Sequence, residues 1–421
     1  MVLPSLRAVD AAAWDALAAD DHPFIRHAYL RGLEVSGTVG VDAAAGVAAP
    51  VRRGLRGQDS RWVPMHLLVL DDDSARRLAE AGSDDALPEG SLHPLAAAPC
   101  YAKADSWGEY IFDFQWAEFF RSHGRAYYPK LVIGVPFTPA TGRRLLVARG
   151  QEAAQRRLLA DAALALARQI GASSVHVLFC TDEEAEALAT AGYARRATLQ
   201  YQWHARGERC FDDVLAGMRA PSRKAIRRER KIAHSHGLRL DLVRGDALSE
   251  RDWRDIHRLY VLGCVRYGSA PYLQPGFFDW LRTAMPERVL CGLARDANDT
   301  IVAMTLNFRE GDVLYGRYWG SDDDWPMLHF ELAYYALIDH AVAEGLRRVE
   351  AGSGGEHKLK RGLEPTICHS AHAVLDARLA GPIVAFLERE RSAVATARDE
   401  ISAQGTRPRG AGADAARSGA G

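Results

Sequence analysis

An internal repeat constrains this chain more than any single motif. In the first half, Leu145 to Val147 lead into AAQRRLLADAALALARQIG, a helical pattern stopped by Gly171, and then into the β-rich run SSVHVLF. A further strand pattern, GYARRATLQYQW, runs from Gly192 to Trp203. The second half repeats the order: LYGRYWG, then MLHFELAYYALIDHAVAEG stopped by Gly345, then LRRVEAG, and last RGLEPTICHSAHAVL. Glycine just past the final periodic residue is a common helix stop, and the change from helical to strand periodicity marks each element. The same strand, helix, strand, turn, strand order therefore occurs twice, which points to duplication.

Length agrees with that reading. At 421 residues the chain exceeds one ordinary core, and two domains of roughly 150 to 200 residues are expected. We place the halves at 1–205 and 206–395, with a disordered tail at 396–421. The end of that tail, from Gln404, is mostly Gly, Ala and Arg with little to bury. Loops around Asp42 to Gln58 and Asp71 to Gly90, rich in Ala, Gly, Asp and Arg, read as surface insertions. In the second half, Ser249 with Asp252 three residues on predicts a capped helix, and tight turns at Ala297 to Asp299 and Glu310 to Asp312 join antiparallel strands. Hairpins followed by a helix and one more strand give an α+β fold with mixed sheets flanked by helices.

Composition removes several classes of function. Net charge is −1, so no global field draws nucleic acid or anionic lipid. No apolar run approaches the roughly 20 residues of a membrane span, and the start lacks a signal-peptide core, so a cytoplasmic protein is expected. The six cysteines stand singly, without a C-x-x-C, so neither a zinc site nor a disulfide framework is expected and no metal is called.

The chemistry concentrates in EAGSGGEHKLKRGL, Glu350 to Leu363, at the end of a core strand. Gly354 and Gly355 leave backbone amides approachable, and Glu356, His357, Lys358, Lys360 and Arg361 follow at once. Acyl transfer to an amine needs a proton acceptor and stabilisation of a developing oxyanion. Glu356, His357 and Lys358 are the catalytic candidates, with Gly354, Gly355, Lys360 and Arg361 binding substrate. The same run also reads as a polar surface loop.

Further candidates lie elsewhere. Arg317 and Trp319 end a strand and His329 opens the next helix, whose first amides suit an anion. His329 and Glu331 are two residues apart and do not share a helix face, which argues against metal ligation. Glu109 and Lys130 sit among many aromatics, either as the polar ends of a cleft or within a helical layer packed on a sheet. In SRKAIRRERKIAHSHG, Arg223, Lys224 and Arg227 are phosphate-binding candidates on a basic helix that also reads as a solvated face.

WGEYIFDFQWA, YYPKLVIGVPFTPATGRRLL, LYGRYWG, LHFELAYY, VEAGSGGEHKLKRGLEP and FLERER together resemble the FemAB-like proteins of peptidoglycan biosynthesis or recognition, predicted N-acyltransferases. The similarity spans about Pro23 to Arg391. It implies a tandem pair of GNAT-like halves and transfer of an acyl or aminoacyl group from acyl-CoA or aminoacyl-tRNA, as co-substrates with no bound cofactor, to an amine acceptor such as a peptidoglycan precursor. A non-catalytic module recognising such precursors is the alternative. LKRGL is similar to the family's Phe-Lys segment, which places Lys360 at the site, with Lys358 an equal candidate. The GNAT acyl-CoA loop, R/Q-x-x-G-x-G/A, is not present before either long helix: Arg149 to Gln155 reads RGQEAAQ, and the second half offers GSDDDWPML.

Overall fold

The computed structural model describes residues 1–19, 21–40, 62–83 and 86–405, apart from the side chains of Ser353 and Glu356. The loop expected at Asp42 to Gln58 and residues 406–421 of the expected tail lie outside the described residues, whereas 396–404, expected as part of a disordered tail, form the end of the helix Ala377–Gln404, because a long helix continues through them. The described residues form two compact units, each gathered from separate stretches: those within 1–198, 270–286 and 368–394 in the first, and those within 199–269, 287–367 and 395–405 in the second.

In the first unit, strand Ser174–Cys180 is central. It pairs antiparallel with residues 369–374 and parallel with Lys130–Ile133, which continues to Cys100–Lys103 and Trp62–Pro64. A second sheet runs Val2–Leu3, His66–Leu70, Pro94–Ala98, Leu146–Val147. Helix Glu152–Gln169 buries Leu159, Ala160, Ala163, Leu166 and Ala167 in a core shared with Val175, Val177, Leu131 and Ile133. Gly171 follows in the left-handed region, φ +68, as the sequence pattern requires.

One loop expectation is corrected. Part of Asp71 to Gly90 is a helix, Asp72–Ala81, whose N-cap Asp71 accepts from the Ser74 amide at 2.7 Å and whose end is closed by left-handed Gly82. Its polar composition reflects solvent exposure, with Ser74 and Leu78 alone buried.

The second unit carries a sheet in the order Arg239–Arg244, Val289–Arg295, Ile301–Glu310, Val313–Ser321, all antiparallel. Arg348–Ser353 then joins in parallel, followed by residues 200–204 in antiparallel register. The capped helix is present: Ser249 and Asp252 form a reciprocal capping box ahead of Glu250–Arg266. The helix after Val313–Ser321 is not uniform. Leu328–Phe330 is α-helical, Glu331–Tyr335 is a π-helical turn, and Ala336–Ala343 resumes the α-helix. Such turns insert one residue and often mark functional positions.

Helix Glu250–Arg266 lies almost on the Val313–Ser321 strand through two glycines. A Cβ at Gly320 would overlap the Leu259 carbonyl, and one at Gly263 the Trp319 carbonyl. Both obstacles are main chain, so no side-chain rotation relieves them. Gly320→Ala is expected to cost about 1–3 kcal/mol, measured by chemical denaturation. A variant as stable as the parent would show that helix and strand separate at no cost.

Candidate active site

Strands Val313–Ser321 and Arg348–Ser353 pair only at Val313↔Arg348, Leu314↔Val349 and Tyr315↔Glu350. Beyond those pairs each strand is turned by its own sequence. On the first, the register with Ile301–Glu310 jumps from Leu306↔Tyr318 to Asn307↔Gly316, leaving Arg317 as the extra residue of a bulge. Bulges twist a strand and redirect its side chains. On the second, Gly352, Gly354 and Gly355 take φ of +72, +78 and +88, which carries the chain into the short helical turn Glu356–Arg361.

A cavity of about 520 Å³ is lined by residues of both strand ends. Arg317, Tyr318 and Trp319 come from one strand end, and Gly354, Gly355, His357 and Lys358 from the other. His329, Phe330 and Tyr334 of the following helix, Tyr260, Gly263 and Cys264 of Glu250–Arg266, and Tyr267 at that helix's C-cap complete most of its wall. The volume is that of an ordinary small-ligand site.

Lys358 is 5% exposed. Its Nζ donates to the Ala351 and Gly352 carbonyls at 2.7 and 3.2 Å. Burial, with the Arg317 charge adding to it, pushes its pKa down to about 8. The Arg317 guanidinium lies 3.7 Å from Glu350 and over the Tyr315 ring at 5.4 Å. His357 Nε2 is 3.3 Å from the Tyr334 hydroxyl. Burial, then the cations Arg361 and Lys358, lower the His357 pKa, which favours neutral imidazole. A Cβ on Gly355 would overlap the His357 ring, so glycine is required there for space as well as for φ.

Of the sequence candidates, Arg317, Trp319, His329, Gly354, Gly355, His357 and Lys358 therefore line one cavity. The Glu356 side chain lies outside the described residues. Between the two lysines the geometry discriminates: Lys358 lines the cavity, whereas Lys360 is exposed and is not among the lining residues.

Arg361 is committed elsewhere. It forms a two-pronged pair with Glu229 at 3.1 and 2.9 Å, donates to the His357 carbonyl at 2.8 Å and covers the Phe330 ring at 3.4 Å. Tyr335 donates its hydroxyl proton to the same Glu229. Arg361 thus braces the turn that carries His357 and Lys358.

The basic helix, Ala220–His234, does not bring its candidates to the cavity lining. Arg223 donates to the Met218 carbonyl at 2.7 Å, Arg227 lies 3.5 Å from Asp212, and Lys224 is exposed. Glu109 and Lys130 belong to the first unit, where both are fully buried and joined at 2.7 Å. Lys130 also meets Asp113 at 2.6 Å and Ser106 at 3.0 Å, so the two residues the sequence left open, as ends of a cleft or as part of a packed layer, belong to a buried ionic cluster.

Tyr260, Cys264 and Tyr267 were not legible as site residues, because their helix carries an ordinary amphipathic pattern. Gly263 was the one available signal, since a mid-helix glycine implies close approach of another backbone. Among the described residues no group of three or more His, Cys, Asp or Glu is placed to hold a metal ion.

No curated protein matches the chain significantly in sequence. Among solved structures it is similar to FemX, at 11% identity and TM-score 0.47 over 89% of this chain and 98% of that one. It is similar to L-PGS from Bacillus licheniformis at 12% identity and TM-score 0.44, over 76% and 96% of the two chains. A tandem GNAT protein from the clavulanic acid biosynthesis pathway is 16% identical, with TM-score 0.36 over 74% and 98%. The sequence profile of the FemAB-like family, described as peptidoglycan biosynthesis/recognition, matches residues 5–407, and the chain belongs to that family.

Proposed function

We propose that this chain transfers an acyl or aminoacyl group from acyl-CoA or aminoacyl-tRNA to an amine, with a peptidoglycan precursor as acceptor. The observation that carries the reading is the meeting of Lys358, Arg317, His357 and two left-handed glycines on one cavity between strand ends that have stopped pairing. In the reaction the amine nitrogen attacks the carbonyl carbon. A C–N bond forms, and the C–O or C–S bond to the carrier breaks.

Neutral His357 takes the proton that the amine loses. The Lys358 ammonium and the Gly354 and Gly355 amides stabilise the charge that develops on the carbonyl oxygen, where preorganised donors are most effective. Arg317 holds an anionic group of donor or acceptor. Both donors are cytoplasmic metabolites, which favours that compartment; no described helix is long and apolar enough to cross a membrane. Of the phosphate-binding candidates Arg223, Lys224 and Arg227, exposed Lys224 and Arg227 would meet donor phosphates. That arm predicts donor affinity falling steeply with salt.

The test is incubation with a panel of acyl-CoAs and charged tRNAs plus soluble peptidoglycan precursors, reading product mass. A precursor mass increased by one acyl or aminoacyl residue is expected. Precursor binding with no donor consumed across the panel would sink transfer and leave the recognition role.

A further inference from the structure

Residues 106–114 of the first unit, SWGEYIFDF, invert the usual division between surface and interior. Their two charged side chains, Glu109 and Asp113, are turned inward onto Lys130 and buried. Three large rings are turned outward: Trp107 is 59% exposed, Phe112 66% and Phe114 41%. A single exposed apolar side chain is ordinary, but three within eight residues, alternating with buried carboxylates, make a patch of the kind that marks an interaction surface. The Trp107 and Phe114 rings meet with centroids 5.3 Å apart, and Phe112 stands two residues from Phe114.

The backbone is committed to this display. Tyr110 and Phe112 have φ of +59 and +54, a region that bulky side chains rarely occupy and that persists only where the surroundings enforce it. Here the enforcement is largely ionic. Lys103 donates to the Trp107 carbonyl at 2.7 Å and to Asp105 at 2.9 Å, and Asp105 accepts from the Trp107 amide at 2.9 Å. Arg196 donates to the Ile111 carbonyl at 3.0 Å, and the Phe137 amide to the Gly108 carbonyl at 3.1 Å. The loop therefore cannot turn its rings inward without breaking these bonds.

We infer that this loop is a membrane-docking tip, which places Trp107, Phe112 and Phe114 in the interfacial layer of a lipid bilayer. Shape and area choose the occupant. Rings more than half exposed protrude, whereas sugars and other small ligands are held in concave sites that bury most of their surface. Three such rings, about half exposed, offer on the order of 300 Å², well below the roughly 800 Å² that each partner gives to a stable protein interface. A bilayer demands neither a complementary shape nor a minimum area, and aromatic side chains settle readily at its interface. The exposed charges that follow cancel in pairs, Arg121 with Glu118 and Arg125 with Asp376, so the docking is apolar and indifferent to lipid charge. It gives a chain with no described membrane-spanning helix a hold on a lipid surface, and it stands apart from the transfer reading.

The test is flotation of the full chain with vesicles of phosphatidylcholine, and with vesicles carrying about one-third phosphatidylglycerol, at about 0.1 M and about 0.5 M NaCl. Binding to phosphatidylcholine is expected to rise with lipid up to about 5 mM and to change by less than about twofold with salt. Phe112→Asp should lower that partition at least about tenfold. Aspartate tolerates the left-handed backbone, so the loop keeps its shape while a carboxylate opposes entry. Phe112→Leu should stay within about threefold of the parent, and unchanged melting temperatures report that both variants are folded. A parent that does not float with phosphatidylcholine overturns the inference, whatever the variants do, and so does flotation that Phe112→Asp leaves unaltered. Binding confined to the anionic vesicles and lost at high salt would give the surface to the basic helix Ala220–His234 and also overturn it. Self-association of the parent that Phe112→Asp abolishes, with no vesicle binding, would make the loop a contact between copies and overturn it too.

Discussion

Lys358→Met is expected to slow transfer about 10²–10³-fold while leaving the protein folded. Methionine keeps the length of the side chain in its buried place and removes the charge, with the contacts to the Ala351 and Gly352 carbonyls that it makes. The pH profile supplies a sharper readout. With a folded pKa of about 8, the ammonium is lost as pH rises through that value, so the parent rate should fall on the alkaline side. The variant should lack that limb.

The stability linkage has its own sign. The folded value lies below the ordinary 10.5, so the unfolded chain holds the proton more tightly. The cost of burying the charge is present below pH 8 and fades between about 8 and 10.5. Stability from this group therefore rises with pH across that window. A variant that turns over at the parent rate with the same alkaline limb would remove Lys358 from the chemistry.

The second large effect is structural. Lys130→Met should destabilise the first unit by about 3–5 kcal/mol, because it strands Glu109 and Asp113 without their shared cation in a site with no water contact. Lys130 Nζ lies 2.7 Å from Glu109 and 2.6 Å from Asp113, all three fully buried. Burial works against the lysine charge, but the two carboxylates outweigh it and hold its pKa above the ordinary value. Lys103, 3.8 Å from Glu109, is occupied by Asp105 at 2.9 Å and the Trp107 carbonyl at 2.7 Å, so it is poorly placed to substitute. For a unit of this size the loss corresponds to a melting temperature lower by about 10 °C. Adding Glu109→Gln and Asp113→Asn should recover much of it, because a neutral cluster has no stranded charge. A single variant melting within a degree or two of the parent would show that the cluster reorganises or admits water.

How much was legible follows from the range of each interaction. The duplicated order of elements was readable because periodicity and stop signals are local: Gly171 and Gly345 do close their helices in the left-handed region, and Ser249 with Asp252 forms the expected box. The cavity was partly readable for the same reason, since Gly354, Gly355, His357 and Lys358 fall within five residues and their glycines turn the backbone themselves.

What was not legible depended on distant partners. Arg361 looked like a substrate ligand, but its carboxylate, Glu229, lies 132 residues upstream on a helix whose most visible feature is its basic charge. Glu109 and Lys130 could be read as the ends of a cleft or as part of a packed layer, because nothing local shows that Asp113, Ser106 and Lys130 converge. The bulge at Arg317 is a mismatch between two strands, a property that neither strand carries alone.

The gathering of each unit from separate stretches has a consequence for synthesis. Strand Ser174–Cys180 takes its antiparallel neighbour from residues 369–374, and Cys180 and His369 are 189 residues apart. At about 5–20 residues per second, a nascent chain leaves the ribosome with that strand edge unmatched for about 10–40 s. An open edge is a template for wrong pairing, so slow translation of the second half would be the hazardous regime for this protein, and a chaperone that shields the waiting edge would raise its yield.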